Sequence, residues 1–191
     1  MSVIDTLITD RTATDVQYIK ALNAKGWADM TAFEREYWLG ELAPLYASDG
    51  LLEASDGQLY TSDGDGTVRG AYNAADLNRV GAACAYLYAL FISLGYSVPS
   101  YAALKTDWTV TDIPTAAQMT TYLNTVAALK AVWTAETALP ATMSKIDYAD
   151  ANNIEALLVE VDGQITRLAS TLDLGWALGI AYIGLYGGAG L

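Results

Sequence analysis

Apolar residues recur at steps of three and four along much of the chain, and several of these runs open on a capping residue. Thr12-Ala-Thr-Asp15 sets a capping hydroxyl three residues before a carboxylate. Val16, Ile19 and Leu22 follow at helical spacing, and Lys25-Gly26 supplies a stop. Thr31-Ala-Phe-Glu34 is a second capping box, leading into Phe33, Tyr37, Trp38 and Leu42. Two short helices are therefore expected within residues 1–45.

The strongest pattern begins at Asn73, an N-cap with Asp76 at N3. Leu77, Val80, Cys84, Leu87, Phe91 and Leu94 form an a/d stripe that Gly95 ends, shortly before Pro99. Residues 105–114 read as a connector, with Trp108 and Ile113 pinning it to the core. Thr115-Ala-Ala-Gln118 caps a further helix carrying Met119, Tyr122, Val126, Leu129 and Trp133, with Pro140 closing the element. A last helix, starting between Tyr148 and Asn152, carries Ile154, Leu158, Val161, Ile165, Leu168 and Leu172. Glu155, Glu160 and Arg167 fall between those apolar positions. Stripes of this kind cannot bury themselves singly, so residues 72–173 are expected to form the body of a helical bundle.

Two segments break the pattern. Within residues 46–71, Ser-Asp-Gly occurs at 48–50, 55–57 and 62–64. Asp-Gly favours tight turns, because glycine accepts positive φ. The intervening Leu51–Ala54 and Gln58–Thr61 suit very short strands, giving a small β-hairpin-like insertion between helices. Asp63-Gly-Asp65-Gly66 is a fragment of a calcium loop without its downstream Glu, so turn chemistry accounts for it better than metal binding. Residues 174–191 carry no charge. Gly175 and Gly179, like Gly184 and Gly188, stand in GxxxG spacing, but no basic residue follows and Asp173 precedes. These features favour an apolar arm over a membrane span. An apolar surface of that size requires cover, and Trp176, Ile180, Tyr182, Ile183 and Tyr186 are the expected assembly contacts. The predicted fold class is thus mainly α: a bundle of about five helices, an Asp-Gly-rich insertion and an apolar C-terminal arm.

Composition narrows the function. A formal net charge of −12, with no segment rich in Lys or Arg, would repel a phosphate backbone and an anionic membrane surface, so neither is an expected partner. The chain has no His, so the commonest general base and metal ligand is missing. Its one Cys, Cys84, lies in an apolar run and reads as a small core residue. Met1–Asp5 lacks the basic and apolar stretches of a signal peptide. No phosphate-binding loop, dinucleotide fingerprint or metal-ligand spacing occurs, and the carboxylates fall at caps, in turns or on helix faces. No catalytic, cofactor-binding or metal site is expected. The 13 Tyr suit packed and subunit-contacting surfaces.

Several stretches together resemble a group of proteins encoded among tail and other structural genes of phages and prophages from Gram-positive and gut bacteria. They are Leu7-Ile-Thr-Asp-Arg-Thr12, Lys25-Gly-Trp-Ala28, Gly70-Ala-Tyr-Asn-Ala-Ala-Asp-Leu-Asn-Arg-Val80, Lys105-Thr-Asp-Trp108, Asp112-Ile-Pro-Thr-Ala-Ala-Gln-Met119, and residues 148–154. The Ser-Asp-Gly segment looks like an insertion relative to that pattern. The resemblance implies a non-enzymatic virion protein of the tail, baseplate or fibre region, assembled in the bacterial cytoplasm. Its partners would be other virion proteins and copies of itself. Two rivals remain open: a receptor- or glycan-binding module using Tyr60, Tyr72 and nearby acids, and a small membrane-associated protein anchored by its C-terminal segment.

Overall fold

The computed structural model describes residues 2–25, 27–32, 34–35, 51–53, 59–61, 72–109, 111–133 and 135–186. For residues 22, 23, 27, 51–53, 59–61 and 172–186 only the backbone is described. The protein is mainly helical. Four α-helices lie among the described residues: α1 (Ala13–Lys25), α2 (Ala74–Ser93), α3 (Ala116–Val132) and α4 (Tyr148–Tyr186).

Each start is written in local chemistry. Thr12 and Asp15 exchange hydrogen bonds ahead of α1, with Thr12 N–H donating to Asp15 Oδ2 at 2.7 Å. Asn73 Oδ1 accepts from Ala75 N–H and Asp76 N–H, while Asp76 Oδ2 accepts from Asn73 N–H, closing a full capping box at α2. Thr115 and Gln118 repeat the motif at α3. Such caps satisfy amides that have no partner inside the helix. Leu94 caps the end of α2, and Gly95 follows at φ +83, a left-handed conformation that favours glycine. Thr31 and Glu34 also form a capping box, and Lys25 Nζ reaches Glu34 Oε1 at 2.8 Å, tying the end of α1 to that box. Residues 32, 34 and 35 of the helix expected there are helical, with Arg35 N–H donating to the Thr31 carbonyl at 3.1 Å, and the rest of it lies outside the described residues.

The core is built where the stripes meet. Leu77, Val80, Cys84, Leu87 and Phe91 of α2 pack with Tyr122, Val126 and Leu129 of α3 and with Ile154, Leu158, Val161 and Ile165 of α4. Leu94, Met119, Trp133 and Trp108 are partly buried against this cluster. One 3-10 turn, Val3–Thr6, packs on both α2 and α4 and adds Ile4 to the core. Where the connector crosses α2 the approach is close: a Cβ on Gly81 would lie 2.9 Å from Thr106 Cγ2 and 3.3 Å from the Lys105 carbonyl oxygen.

Three expectations need correction. Ile113 does not pin the connector; it is 89% exposed, and Trp108 and Leu104 pack there instead. Helix α3 ends at Val132, well before Pro140, because Trp133 turns to extended backbone and packs edge-on against Phe91 at 5.1 Å. In α1, Val16 and Ile19 are only half-buried, while Asp15 and Tyr18 are buried among the described side chains.

Leu51–Glu53 runs antiparallel to Leu59–Thr61, with Leu52 opposite Tyr60. The Ser-Asp-Gly stretches themselves lie outside the described residues. Helix α4 continues without interruption for 39 residues across the 173/174 boundary. Its last buried residue among those with described side chains is Ile165; Thr166, Arg167, Ser170 and Thr171 are exposed. Among the described residues, no helix is long and apolar enough to cross a membrane.

Candidate functional site

The densest polar chemistry lies inside the bundle. Arg11, just ahead of α1, Asp76 and Arg79 on the first turns of α2, and Glu155 on the second turn of α4 are all buried. Arg11 Nη2 donates to Asp76 Oδ1 at 2.8 Å and to Glu155 Oε1 at 2.5 Å. Arg79 Nε donates to Glu155 Oε2 at 3.1 Å, and its Nη2 also bonds Asp76 Oδ1. Two guanidinium groups thus face two carboxyl groups, and the cluster balances formally.

Backbone and amide contacts complete the cluster. Ile8 N–H donates to Glu155 Oε2 at 2.6 Å, and Arg11 Nη1 donates to the Ile8 carbonyl at 2.7 Å. Asn152 clasps the same segment from α4: its Oδ1 accepts from Arg11 N–H at 3.0 Å and its Nδ2 donates to the Arg11 carbonyl at 2.9 Å. The N-terminal segment is therefore strapped across α2 and α4 by a charged clasp, with Ile4 and Ile8 buried beneath it. Arg11 Nε has no hydrogen-bond partner. Burial pulls the Arg11 guanidinium down, but Asp76 and Glu155 more than reverse this and its pKa is raised. Burial also raises the Asp76 carboxyl, against the pull of Arg11 and Arg79.

Tyr72 links this cluster to the surface. The Arg11 guanidinium lies 5.7 Å from its ring centroid, and its hydroxyl bonds that of Tyr122 on α3. Burial raises both phenols well above their ordinary range. Beside Tyr72 opens a cleft of about 410 Å³ between α1 and the start of α4. Arg11, Val16, Gln17, Lys20, Ile146, Asp147 and Tyr148 contribute to its walls.

None of these groups is a poised nucleophile. The acids are committed to guanidinium and amide donors, and burial pushes the Cys84 thiol up to about 12. Among the described residues, no group of three or more His, Cys, Asp or Glu is placed to hold a metal ion. Of the expected contact residues, Tyr72 borders the cleft, whereas the side chain of Tyr60 lies outside the described residues. So do those of Trp176, Ile180, Tyr182, Ile183 and Tyr186, whose backbone belongs to α4.

The charged clasp was missed from the sequence. Glu155 lies between the apolar positions of α4 and read as surface; instead Leu157 and Leu158 are both buried, so the inward face is broad enough to include it. The available signal was an Arg and an Asp-x-x-Arg repeat of charge within otherwise apolar or capping stretches, at Arg11, Asp76 and Arg79. No protein-family model matches the chain, and neither the curated proteins nor the solved structures contain a significant match.

Proposed function

We propose that the protein is a non-enzymatic structural subunit of a bacteriophage particle, joining other virion proteins and copies of itself in the tail, baseplate or fibre region. The observation that carries this proposal is the course of α4. Its last buried residue among those with described side chains is Ile165, and it continues as helix to Tyr186, through a stretch that from Leu174 onward has no charged residue. A helix that is apolar all round belongs in the interior of something larger. Along its axis, positions 176, 180 and 183 share one line, and positions 182 and 186 share a neighbouring one. Trp176, Ile180, Ile183, Tyr182 and Tyr186 are therefore the assembly contacts.

A non-enzymatic role is further supported by the commitment of the buried charged groups to one another, which suits a rigid body. The finer architecture of this subunit is a fifth helix beginning at the Thr31 capping box and a small Asp-Gly hairpin projecting from the body. The resemblance of the Leu7–Thr12 and Gly70–Val80 stretches to phage structural proteins supplies the particle, and Arg11, Asp76 and Arg79 of the clasp fall within them.

The test is to delete residues 174–191 in the phage or prophage carrying the gene. The truncated protein is expected to keep a cooperative helical melt and to be lost from purified particles. Normal incorporation of the truncated protein would sink the proposed arm.

A further inference from the structure

The cleft between α1 and the start of α4 has features that a merely structural face does not need. Its volume of about 410 Å³ lies within the range of small-molecule sites. Two phenol rings, Tyr72 and Tyr148, and two aliphatic side chains, Val16 and Ile146, share its walls with Gln17, Lys20 and Asp147. Gln17 and Lys20 have no hydrogen-bond partner among the described residues, so an amide and an ammonium stand ready on the wall. Tyr148 is 37% exposed and open to a ligand.

The charge pattern selects the ligand class. Arg11 is neutralised by Asp76 and Glu155 behind the wall, and the lining otherwise carries one ammonium, Lys20, and one carboxylate, Asp147, whose Oδ1 also accepts from Asp150 N–H at 2.9 Å. A charged ligand would gain little net attraction there. A purely apolar one would leave the amide, ammonium and carboxylate of the exposed rim unused. A ligand with an apolar ring face and a rim of hydroxyls satisfies both demands. Its C–H face lies against a tyrosine ring while its hydroxyls donate to Asp147 and accept from Gln17 and Lys20.

We propose that this cleft binds a neutral sugar ring, held between Tyr72 and Tyr148 and oriented by Gln17, Lys20 and Asp147. The site goes beyond the structural role and stands whether or not the chain is a virion subunit. Its elements come from the start of α1 and the start of α4, which the charged clasp holds together through Arg11, Asn152 and Glu155. The cleft is thus preformed, which lowers the ordering cost of binding.

The test is a titration of the full chain with glucose, galactose and N-acetylglucosamine, with glucuronate as a charged comparison, followed through backbone amide chemical shifts. Saturable millimolar binding is expected for at least one neutral sugar, with shifts gathered on residues 13–20 and 146–151. Tyr148→Ala and Gln17→Ala should each weaken it by about tenfold or more while leaving the thermal melt unchanged. The proposal is overturned by flat titrations with every neutral sugar, by binding of glucuronate alone, or by undiminished binding to Tyr148→Ala.

Discussion

Replacing Glu155 by Gln tests the clasp with almost no change in shape. Glu155 accepts from Ile8 N–H at 2.6 Å, from Arg11 Nη2 at 2.5 Å and from Arg79 Nε at 3.1 Å. A glutamine keeps one oxygen and turns an NH₂ group toward donors, so at least one of these contacts becomes donor against donor. It also leaves two buried guanidinium groups facing the single carboxyl of Asp76. Removing one partner from a buried ion cluster typically costs about 3–5 kcal/mol. That is a large share of the roughly 5–15 kcal/mol by which domains are stable. For a chain of this size, each kcal/mol moves the melting temperature by about 2–4 °C, so Glu155→Gln should lower it by roughly 6 °C or more. Urea unfolding followed by tryptophan fluorescence and far-ultraviolet circular dichroism gives the free energy. Glu136→Gln, at an exposed residue, serves as the control and should stay within about 0.5 kcal/mol. A Glu155→Gln loss as small as the control would refute the account of the clasp.

The remaining predictions probe other contacts. Gly81→Ala gains about 1 kcal/mol of helix propensity but drives a methyl to 2.9 Å from Thr106 Cγ2. Overpacking costs about 1–3 kcal/mol, so a net loss near 1 kcal/mol is expected in urea unfolding. Tyr122→Phe strands the buried Tyr72 hydroxyl and should cost about 1–3 kcal/mol, read as a lower melting temperature with unchanged helix content. Backbone amides of Glu136 and Thr137 and the Thr137 hydroxyl donate to Glu160 and hold its pKa below the ordinary Glu value. Because that folded-state value is depressed, its stabilisation is present above the unfolded Glu pKa and is lost as pH falls through the folded one. Asp76, raised by burial, has the opposite sign: its contribution is fully present below the unfolded Asp pKa and is lost as pH rises through the folded one. Protection factors of the amides of residues 136–137, corrected for the intrinsic pH dependence of exchange, should therefore fall as Glu160 is protonated, and Glu160→Gln should abolish that pH dependence.

The helices were legible because caps and periodicity act locally. The a/d stripe from Leu77 to Phe91 is buried throughout, and the Asn73 and Thr115 boxes close as their spacing requires. The clasp was not legible, because each member has a sufficient local reason to be where it is. Asp76 already serves as an N3 cap and Glu155 fits a helix face, so neither residue reports Arg11, which lies 65 positions from Asp76 and 144 from Glu155 in sequence. Only the meeting of the N-terminal segment with α2 and α4 makes the charges a single unit. Ile113 failed in the other direction: an isolated apolar residue in a connector has no periodic neighbours to fix which way it faces, and it lies in solvent. The cleft combines residues of α1, α4 and the segment before α2, a juxtaposition that spacing along one element does not encode.

The most direct test of the proposed virion role is mass spectrometry of phage particles purified from the cells that carry this gene, with copy number measured against the major capsid and tail proteins. The account predicts the full-length chain at a fixed, reproducible stoichiometry in mature particles. Its absence from them, or an amount that varies from preparation to preparation, would contradict it.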